Sequence, residues 1–255
     1  MPSRNPTFRS LSAAALAFTF AFASASSWAQ GTLRIGMTAA DIPLTTGQTD
    51  QGGEGMRFMG YAVYDGLINW DLTSADKPSV LIPGLATGWK VDDADRTRWT
   101  FTLRQGVKFH DGSDFKADAV VWNLDKILND KSPQFDPKQA AQGRSRIPAV
   151  KSYKVIDDYT VKITYTKPYA LKRDDLATLF LLPKEAMADI ATKPIGTGPF
   201  SFVSYAPGDH LELARFDDYF LDGQPLLDNV NVRILPDPQA RVANLLSGDV
   251  NVSEG

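Results

Sequence analysis

The sequence predicts an α/β protein, and three patterns support that prediction. Residues 99–103 alternate apolar and polar side chains, which is the period of a β-strand with one buried face. Residues 120–128 instead repeat valine, leucine and isoleucine at helical spacing. Strand-like and helix-like runs then alternate along the chain, separated by glycine and proline, as in a mixed sheet with helices. We expect Trp99, Phe101 and Leu103 to be buried together on one sheet face.

The region before residue 70 predicts a strand, a loop and a helix. Thr32–Gly36 has the composition of a short strand, and the polar, glycine-rich residues 45–53 indicate a loop. Met56–Ile68 predicts a helix, because its larger apolar side chains recur every four residues: Met59, Val63 and Leu67.

The middle of the chain predicts a series of strands and turns followed by one helix. Residues 81–112 read as strand, turn, strand and turn, with Val107–Phe109 as a last short strand. Phe115–Leu128 is the clearest helix, and prolines stop it soon afterwards. Residues 129–150 are polar and contain proline, which favours a surface loop.

The last third predicts a sheet that ends in a helix. Its expected strands are Phe200–Tyr205, Leu211–Phe216 and Val230–Leu235, and a further strand, Thr160–Tyr165, is expected in the middle region. Asp237 followed by proline is a helix N-cap signal, and Gly248 is a stop signal, so a helix should end near Leu246.

The first 29 residues predict a secretory signal peptide. Arg4 and Arg9 form a basic start, residues 11–23 form a short apolar core, and Ser27-Trp28-Ala29 places small residues at the positions that a signal peptidase reads. The apolar run is too short to cross a bilayer comfortably. We therefore expect cleavage after Ala29 and export to a bacterial periplasm.

The composition excludes several kinds of partner and chemistry. Removal of residues 1–29 leaves 226 residues with 25 basic and 30 acidic side chains, a net charge of −5. A mildly acidic chain without a basic run argues against nucleic acid and against an anionic membrane surface. The chain contains no cysteine, so it has neither disulfides nor a thiol for lipid attachment.

Residues of the types used in catalysis, phosphate binding or metal binding have simpler structural explanations. His110 and His210 both lie next to aspartate and glycine in turn-like stretches, without an accompanying nucleophile motif. The Gly-Thr-Gly-Pro run at 196–199 leads into a strand rather than a helix, which favours a turn whose glycines adopt positive φ over a phosphate loop. The aspartates at 92–95 lack the glycine and distal glutamate of a calcium loop. We predict no catalytic residue, no cofactor and no metal site.

Several sequence blocks follow one another in a distinctive order. They are Pro83–Ala86 with Trp89, Trp99–Gly112, Ala117–Val120, Gly196–Phe200, Asp218–Phe220, Leu235–Pro238 and Arg241–Val250. In this order they resemble the dipeptide- and oligopeptide-binding proteins of ABC importers, the extracytoplasmic solute-binding proteins of family 5. The resemblance covers most of residues 33–250.

The resemblance implies a periplasmic-binding-protein-like fold of the type II, or Venus-flytrap, class. It implies a mixed-sheet first lobe made from residues 30–67 and 168–255, with residues 68–167 inserted as a subdomain. Family members continue past Leu-Ser-Gly-Asp-Val into a second lobe, so we expect these 255 residues to correspond to an N-terminal portion. We also expect that portion alone to bind peptides weakly or not at all.

The resemblance further implies a monomeric, non-enzymatic periplasmic receptor. It would bind a small solute, by default a peptide, and deliver it to the membrane permease subunits of an ABC transporter. The alternatives are a truncated, non-functional piece of such a receptor and an exported hydrolase.

The candidate ligand-binding residues follow from the position of one loop. In open α/β sheets ligands favour the C-terminal ends of strands, and the loop after Thr32–Gly36 also matches the cleft-lining loop of the family. Its candidate contacts are Thr45, Thr46, Gly47 and Gln48, and the alternative is an ordinary loop. Tyr61 on the following segment is a further candidate that either faces the cleft or packs internally.

Overall fold

A five-stranded mixed sheet forms one part of the protein. The computed structural model describes residues 31–38, 55–147, 149–168, 176–177, 179–184 and 192–254. The strands of this sheet are β1 (Thr32–Met37), β8 (Phe200–Ala206), β9 (His210–Arg215), β10 (Asn229–Ile234) and β11 (Val252–Ser253).

The order of the strands is β11-β1-β10-β9-β8. β1 runs parallel to β10 and to β11, with Met37 opposite Ile234 and Gly36 opposite Ser253, while β8, β9 and β10 form antiparallel pairs. The three strands predicted between residues 200 and 235 are confirmed, and β11 was not predicted.

A four-stranded antiparallel sheet is built only from residues between 86 and 165. Its strands are β4 (Ala86–Val91), β5 (Arg98–Leu103), β6 (Val150–Asp157) and β7 (Thr160–Tyr165), in the order β4-β5-β7-β6. A small hairpin, β2 (Ile68–Trp70) with β3 (Leu81–Pro83), precedes it. The expected burial of β5 is confirmed, since Trp99, Phe101 and Leu103 are 6%, 0% and 2% exposed.

Two helices follow β5 in the chain. The predicted helix is α2 (Ala117–Leu128), whose apolar residues Val120, Leu124 and Ile127 are buried. The next one, α3 (Pro137–Arg146), lies where we expected a loop. The loop prediction was wrong because the side chain of Asp136 accepts hydrogen bonds from the backbone N–H groups of Lys138 and Gln139, which caps a helix that begins with proline.

The last helix, α4 (Pro238–Ser247), follows the prediction. The carboxylate of Asp237 accepts from the Ala240 N–H at 2.7 Å, and Gly248 adopts the left-handed conformation, φ 81°, that ends the helix. Val107–Phe109 is not a strand, because only a single bridge between Lys108 and Asp114 forms there.

The predicted helix over Met56–Ile68 is shorter than expected. A π-helical turn, Met56–Gly60, is continued by α1 (Tyr61–Val63), and Tyr64 is already extended. The extended segment that follows is packed closely, since a Cβ at Gly66 would be 2.6 Å from the Leu176 carbonyl oxygen.

Candidate functional site

The carboxyl edge of the five-stranded sheet is the first part of the site. Because β1, β10 and β11 are parallel, their C-terminal ends meet at the same edge, as a ligand-binding edge of an α/β sheet requires. The predicted loop leaves β1 at this edge. Its candidate residues Thr45, Thr46, Gly47 and Gln48 lie outside the described residues.

The exposed side of the helical turn after that loop adjoins the same edge. Arg57 and Tyr61 are four residues apart and are both exposed, so they share one side of the turn. Arg57 forms an ion pair with Glu254, whose backbone N–H donates to the Gly36 carbonyl at 2.9 Å. The ion pair therefore holds Tyr61 next to the ends of β1 and β11.

Tyr61 keeps a large exposed surface, whereas its neighbour Tyr64 does not. Tyr61 is 41% exposed and meets the ring of Phe180 edge-on at 5.5 Å, while Tyr64 is 1% exposed and stacks on the same ring at 5.9 Å. Tyr61 thus keeps an open ring surface beside this edge, and Tyr64 is a core residue.

Phe180 is positioned by hydrogen bonds to its neighbours in the chain. The amide of Asn123 in α2, completely buried, donates to the Leu182 carbonyl at 2.8 Å and accepts from the Leu182 N–H at 3.2 Å. The Leu181 N–H donates to the Asp65 carbonyl at 3.2 Å. These bonds fix the segment that carries Phe180 between α2 and α1.

A cavity of about 270 Å³ opens beside Tyr61 and is called the Asp65 cavity below. Its walls combine aromatic rings with polar side chains from the β2–β3 hairpin and from the loop before β10. The lining residues are Tyr61, Tyr64, Asp65, Asn69, Trp70, Asp71, Leu72, Thr73, Ile82, Ala177, Phe180, Pro199, Tyr219, Leu221 and Gln224.

The carboxylate of Asp65 is the most unusual group of this cavity. Asp65 is 5% exposed, and its oxygens accept from Asn69 Nδ2 at 3.0 Å, Thr197 Oγ1 at 3.4 Å and the Tyr219 hydroxyl at 3.4 Å. Burial raises the pKa of Asp65 to about 7, against the smaller opposing effects of these bonds and of the charge of Arg104. Burial, together with the charge of Asp65, also raises the pKa of Tyr219.

The Gly-Thr-Gly turn that presents Thr197 is held by close packing. A Cβ at Gly196 would lie 2.1 Å from the Val63 carbonyl oxygen, and one at Gly198 would lie 2.5 Å from the Val63 carbonyl carbon. Neither glycine has positive φ, so the expected reason for these glycines was wrong. They are needed because the turn lies directly on the backbone of residues 62–64.

His110 binds the backbone of this Gly-Thr-Gly turn from the other side. Its Nδ1 accepts from the Gly196 N–H at 3.3 Å, and its Nε2 lies 2.9 Å from the Gly198 carbonyl oxygen, which requires the neutral tautomer with hydrogen on Nε2. Burial lowers the pKa of His110 and favours that neutral form. Since both ring nitrogens bind backbone, His110 has the structural role that the sequence predicted.

A serine, a histidine and an aspartate also approach one another around His210. His210 Nδ1 lies 2.8 Å from the Asp209 carboxylate, and Ser204 Oγ lies 3.4 Å from His210 Nε2. The Ser204 hydroxyl, however, donates to Glu212 at 2.8 Å rather than to the imidazole. Because that proton is directed at a carboxylate, the arrangement does not activate the serine as a nucleophile.

Other predicted polar stretches are turns. Asp92 accepts from the N–H groups of Ala94 and Asp95, and Asp95 pairs with Arg98. In the described part of the chain, no group of three or more potential metal ligands comes together. Within those residues, no helix has the length and apolar character that crossing a bilayer requires.

Comparison with known proteins identifies the family. The family model "Bacterial extracellular solute-binding proteins, family 5 Middle" matches residues 80–255, which is more than half of the chain. The chain belongs to family 5 of the bacterial extracellular solute-binding proteins. The sequence-based recognition of the family is confirmed.

Individual family members agree with this assignment. The glutathione-binding protein GsiB of Salmonella paratyphi A is 34% identical over 184 residues, which are 70% of this chain and 34% of that protein. The dipeptide-binding protein of Escherichia coli is 32% identical over 211 residues, 74% of this chain and 38% of that protein. The chain thus spans about a third of the length of these curated relatives.

A solved structure confirms the fold. The periplasmic binding protein DppA of Helicobacter pylori, in complex with the peptide STSA, superimposes with a TM-score of 0.73 at 26% identity, over 87% of this chain and 46% of that one. The predicted class, a mixed-sheet lobe of the periplasmic-binding-protein type, is therefore correct.

Proposed function

We propose that this family 5 chain belongs to the solute-binding component of an ABC importer. The component would be exported to the periplasm after cleavage of residues 1–29. There it would bind a peptide or a related small solute as a monomer, and deliver the solute to the membrane permease subunits. The relatives named as binding glutathione, dipeptides and a tetrapeptide support a peptide-like solute.

The observation that carries the proposal is the position of Tyr61. An exposed aromatic ring lies beside the carboxyl edge of a parallel strand pair, and the Arg57–Glu254 ion pair fixes it there. Together with the loop residues Thr45, Thr46, Gly47 and Gln48, it would form one wall of the solute site. Aromatic rings supply apolar contact, and the hydroxyls, amide and backbone of the loop supply hydrogen bonds.

We also propose a division into two structural parts. Residues 30–67 and 168–255 would form the first lobe around the five-stranded sheet. Residues 68–167, which contain the four-stranded sheet, would form a subdomain inserted in it. The separate sheets support this division, because no strand of one sheet pairs with a strand of another among the described residues.

Ligand-observed NMR on the 255-residue chain tests the proposed site, because the method detects weak complexes. The ligands are glutathione, a dipeptide and a tetrapeptide. We expect saturable binding of at least one of them, weakened about fivefold by Tyr61→Ala, which corresponds to about 1 kcal/mol.

Val155→Ala is the matched control, because Val155 lies on β6, away from the site, and is also 41% exposed. Equal effects of the two substitutions, or no saturable binding of any ligand, would contradict the proposed site.

A hydrolase is the less favoured alternative. The histidines that could act as bases are engaged as described above, with His110 bound to backbone and Ser204 directed away from His210. Incubation of the purified protein with peptide and ester substrates tests this alternative, and turnover that survives repurification would support it.

A further inference from the structure

We propose that the Asp65 cavity binds a small organic cation, an ammonium or guanidinium group, between a buried carboxylate and aromatic walls. Tyr61 lines both this cavity and the solute site proposed above, but the inference rests on the buried carboxylate of Asp65 and the rings around it. The relevant juxtaposition is the carboxylate of Asp65 with the rings of Tyr64, Phe180 and Tyr219 around about 270 Å³ of space.

The carboxylate is satisfied by neutral donors but not by a cation. Its three hydrogen bonds come from an amide and two hydroxyls, at 3.0–3.4 Å. Among the described residues, no lysine or arginine forms an ion pair with Asp65. The Arg104 guanidinium instead donates from Nε to the Gly84 carbonyl and lies over the ring of Phe220.

A buried carboxylate without a close cation favours the binding of one. Moving an unpaired charge out of water is costly, and an opposite charge within contact distance offsets that cost. The raised pKa of Asp65 reports the same cost, since burial favours its neutral form. A cation that entered the cavity would stabilise the ionised form.

The walls are suited to the organic part and the charge of such a ligand. The faces of aromatic rings attract cations, most strongly where water is excluded. Tyr64 and Phe180 are 1% exposed and stack on each other at 5.9 Å, so they form a fixed apolar wall for the organic part of the ligand. The volume suits an amine or guanidine carrying a few carbon atoms, and is small for a whole peptide.

The other charged and titratable groups around the cavity agree with a cationic ligand, with one exception. Asp71 lies at the rim, and the hydroxyl and N–H of Thr73 lower its pKa, so a second carboxylate is ionised there. Burial raises the pKa of both Tyr64 and Tyr219, and His110, behind the Thr197 turn, has a lowered pKa, so all three are neutral at pH 7. Among the described residues, the charge that opposes a cationic ligand is that of Arg104.

Isothermal titration at pH 8.5 is the direct test, with butylammonium and butylguanidinium as ligands and butanol as the uncharged analogue. We expect a cation to bind at least tenfold more tightly than butanol. Asp65→Asn should reduce the affinity at least tenfold, because it removes the charge and keeps the shape. Asp71→Asn, the control for general negative charge at the rim, should change it less than threefold.

The pH dependence of the wild-type protein gives a second test that does not need a folded variant. If only ionised Asp65 binds the cation, the affinity should fall about thirtyfold from pH 8.5 to pH 5.5, because the ionised fraction falls by that factor. Titration with Nα-acetyl-lysine methylamide then shows whether the cavity accepts a lysine side chain that is part of a peptide or only a free amine.

Three results would overturn the inference. They are the absence of cation binding at pH 8.5, equal affinity for butanol, and an affinity that does not change with pH. Because Tyr61 lines both sites, Asp65→Asn separates them: loss of cation binding with unchanged peptide binding would support this inference independently of the solute site.

Discussion

Replacing Phe101 with alanine should remove a large part of the stability of the protein. Phe101 is completely buried at the centre of β5, where it pairs across the sheet with Trp89 on β4 and Val161 on β7. Its ring lies 6.5 Å from that of Trp89 and 6.2 Å from that of Trp99. Truncating a phenylalanine in such a core costs about 3–5 kcal/mol, through lost burial and the cavity left behind.

That loss approaches the whole stability of a marginal domain, about 5–15 kcal/mol. Urea titration followed by far-UV circular dichroism measures it, with tryptophan fluorescence as a second signal from Trp89 and Trp99. Thr102→Ala is the control, because Thr102 is the next residue on the same strand and is exposed on the opposite face. Its effect should be about 0.5 kcal/mol.

Phe101→Leu retains much of the apolar side chain and should lose less than Phe101→Ala, which provides a folded variant if the alanine protein does not accumulate. A loss for Phe101→Ala of about 1 kcal/mol or less, close to that of Thr102→Ala, would refute the reasoning, since it would mean that Phe101 is not in a packed core.

The elements that could be predicted from the sequence are those whose signals are local. The alternation in β5 and the Asp-Pro and glycine signals around α4 each depend on neighbouring residues, and each is confirmed. The same Asp-Pro signal occurs at Asp136 and begins α3, but the polar composition of this segment led to the prediction of a loop. α3 packs on α2 through Gly143, where a Cβ would meet Ile127 at 2.7 Å, so tertiary contact replaces an apolar stripe.

The Asp65 cavity could not be predicted, because its parts are far apart in the chain. Thr197 and Tyr219 are 132 and 154 residues from Asp65, and no periodicity relates them. The available signal was a single aspartate within a largely apolar run, between Tyr64 and Gly66. A buried carboxylate in such a run indicates a polar network, although not its other members.

Three further predictions follow from single residues. Gly196→Ala should lower the unfolding free energy by about 3 kcal/mol or more, because its Cβ would overlap backbone at Val63. A Cβ at Gly88 would have nothing within 4 Å, so Gly88→Ala should be neutral or stabilising by up to about 1 kcal/mol. Urea titration of both variants measures the two effects. N-terminal sequencing of periplasmic protein should begin at Gln30, and retention of the first 29 residues in the membrane fraction would contradict the signal peptide. Asp65→Asn should change how stability depends on pH.

The pH prediction for Asp65 has a definite sign. Its usual pKa is 3.8, and in the folded protein it is about 7. Between these values the folded state keeps a proton that the unfolded state has released, so the contribution of Asp65 to stability falls as the pH rises. At about 1.36 kcal/mol per pH unit, the loss between pH 5 and pH 8 is roughly 2–3 kcal/mol.

Asparagine does not titrate, so the unfolding free energy of wild type minus that of Asp65→Asn should fall by that amount over the same range. The contributions of the other carboxylates are the same in both proteins and cancel in this difference. Urea titrations of both proteins at pH 5, 6, 7 and 8 measure the difference. If it stays constant with pH, Asp65 is ionised throughout, and the raised pKa of its carboxyl is refuted. If it shrinks as expected, the charge is unpaired at pH 8, and a bound organic cation should then restore part of the lost stability at that pH and little at pH 5.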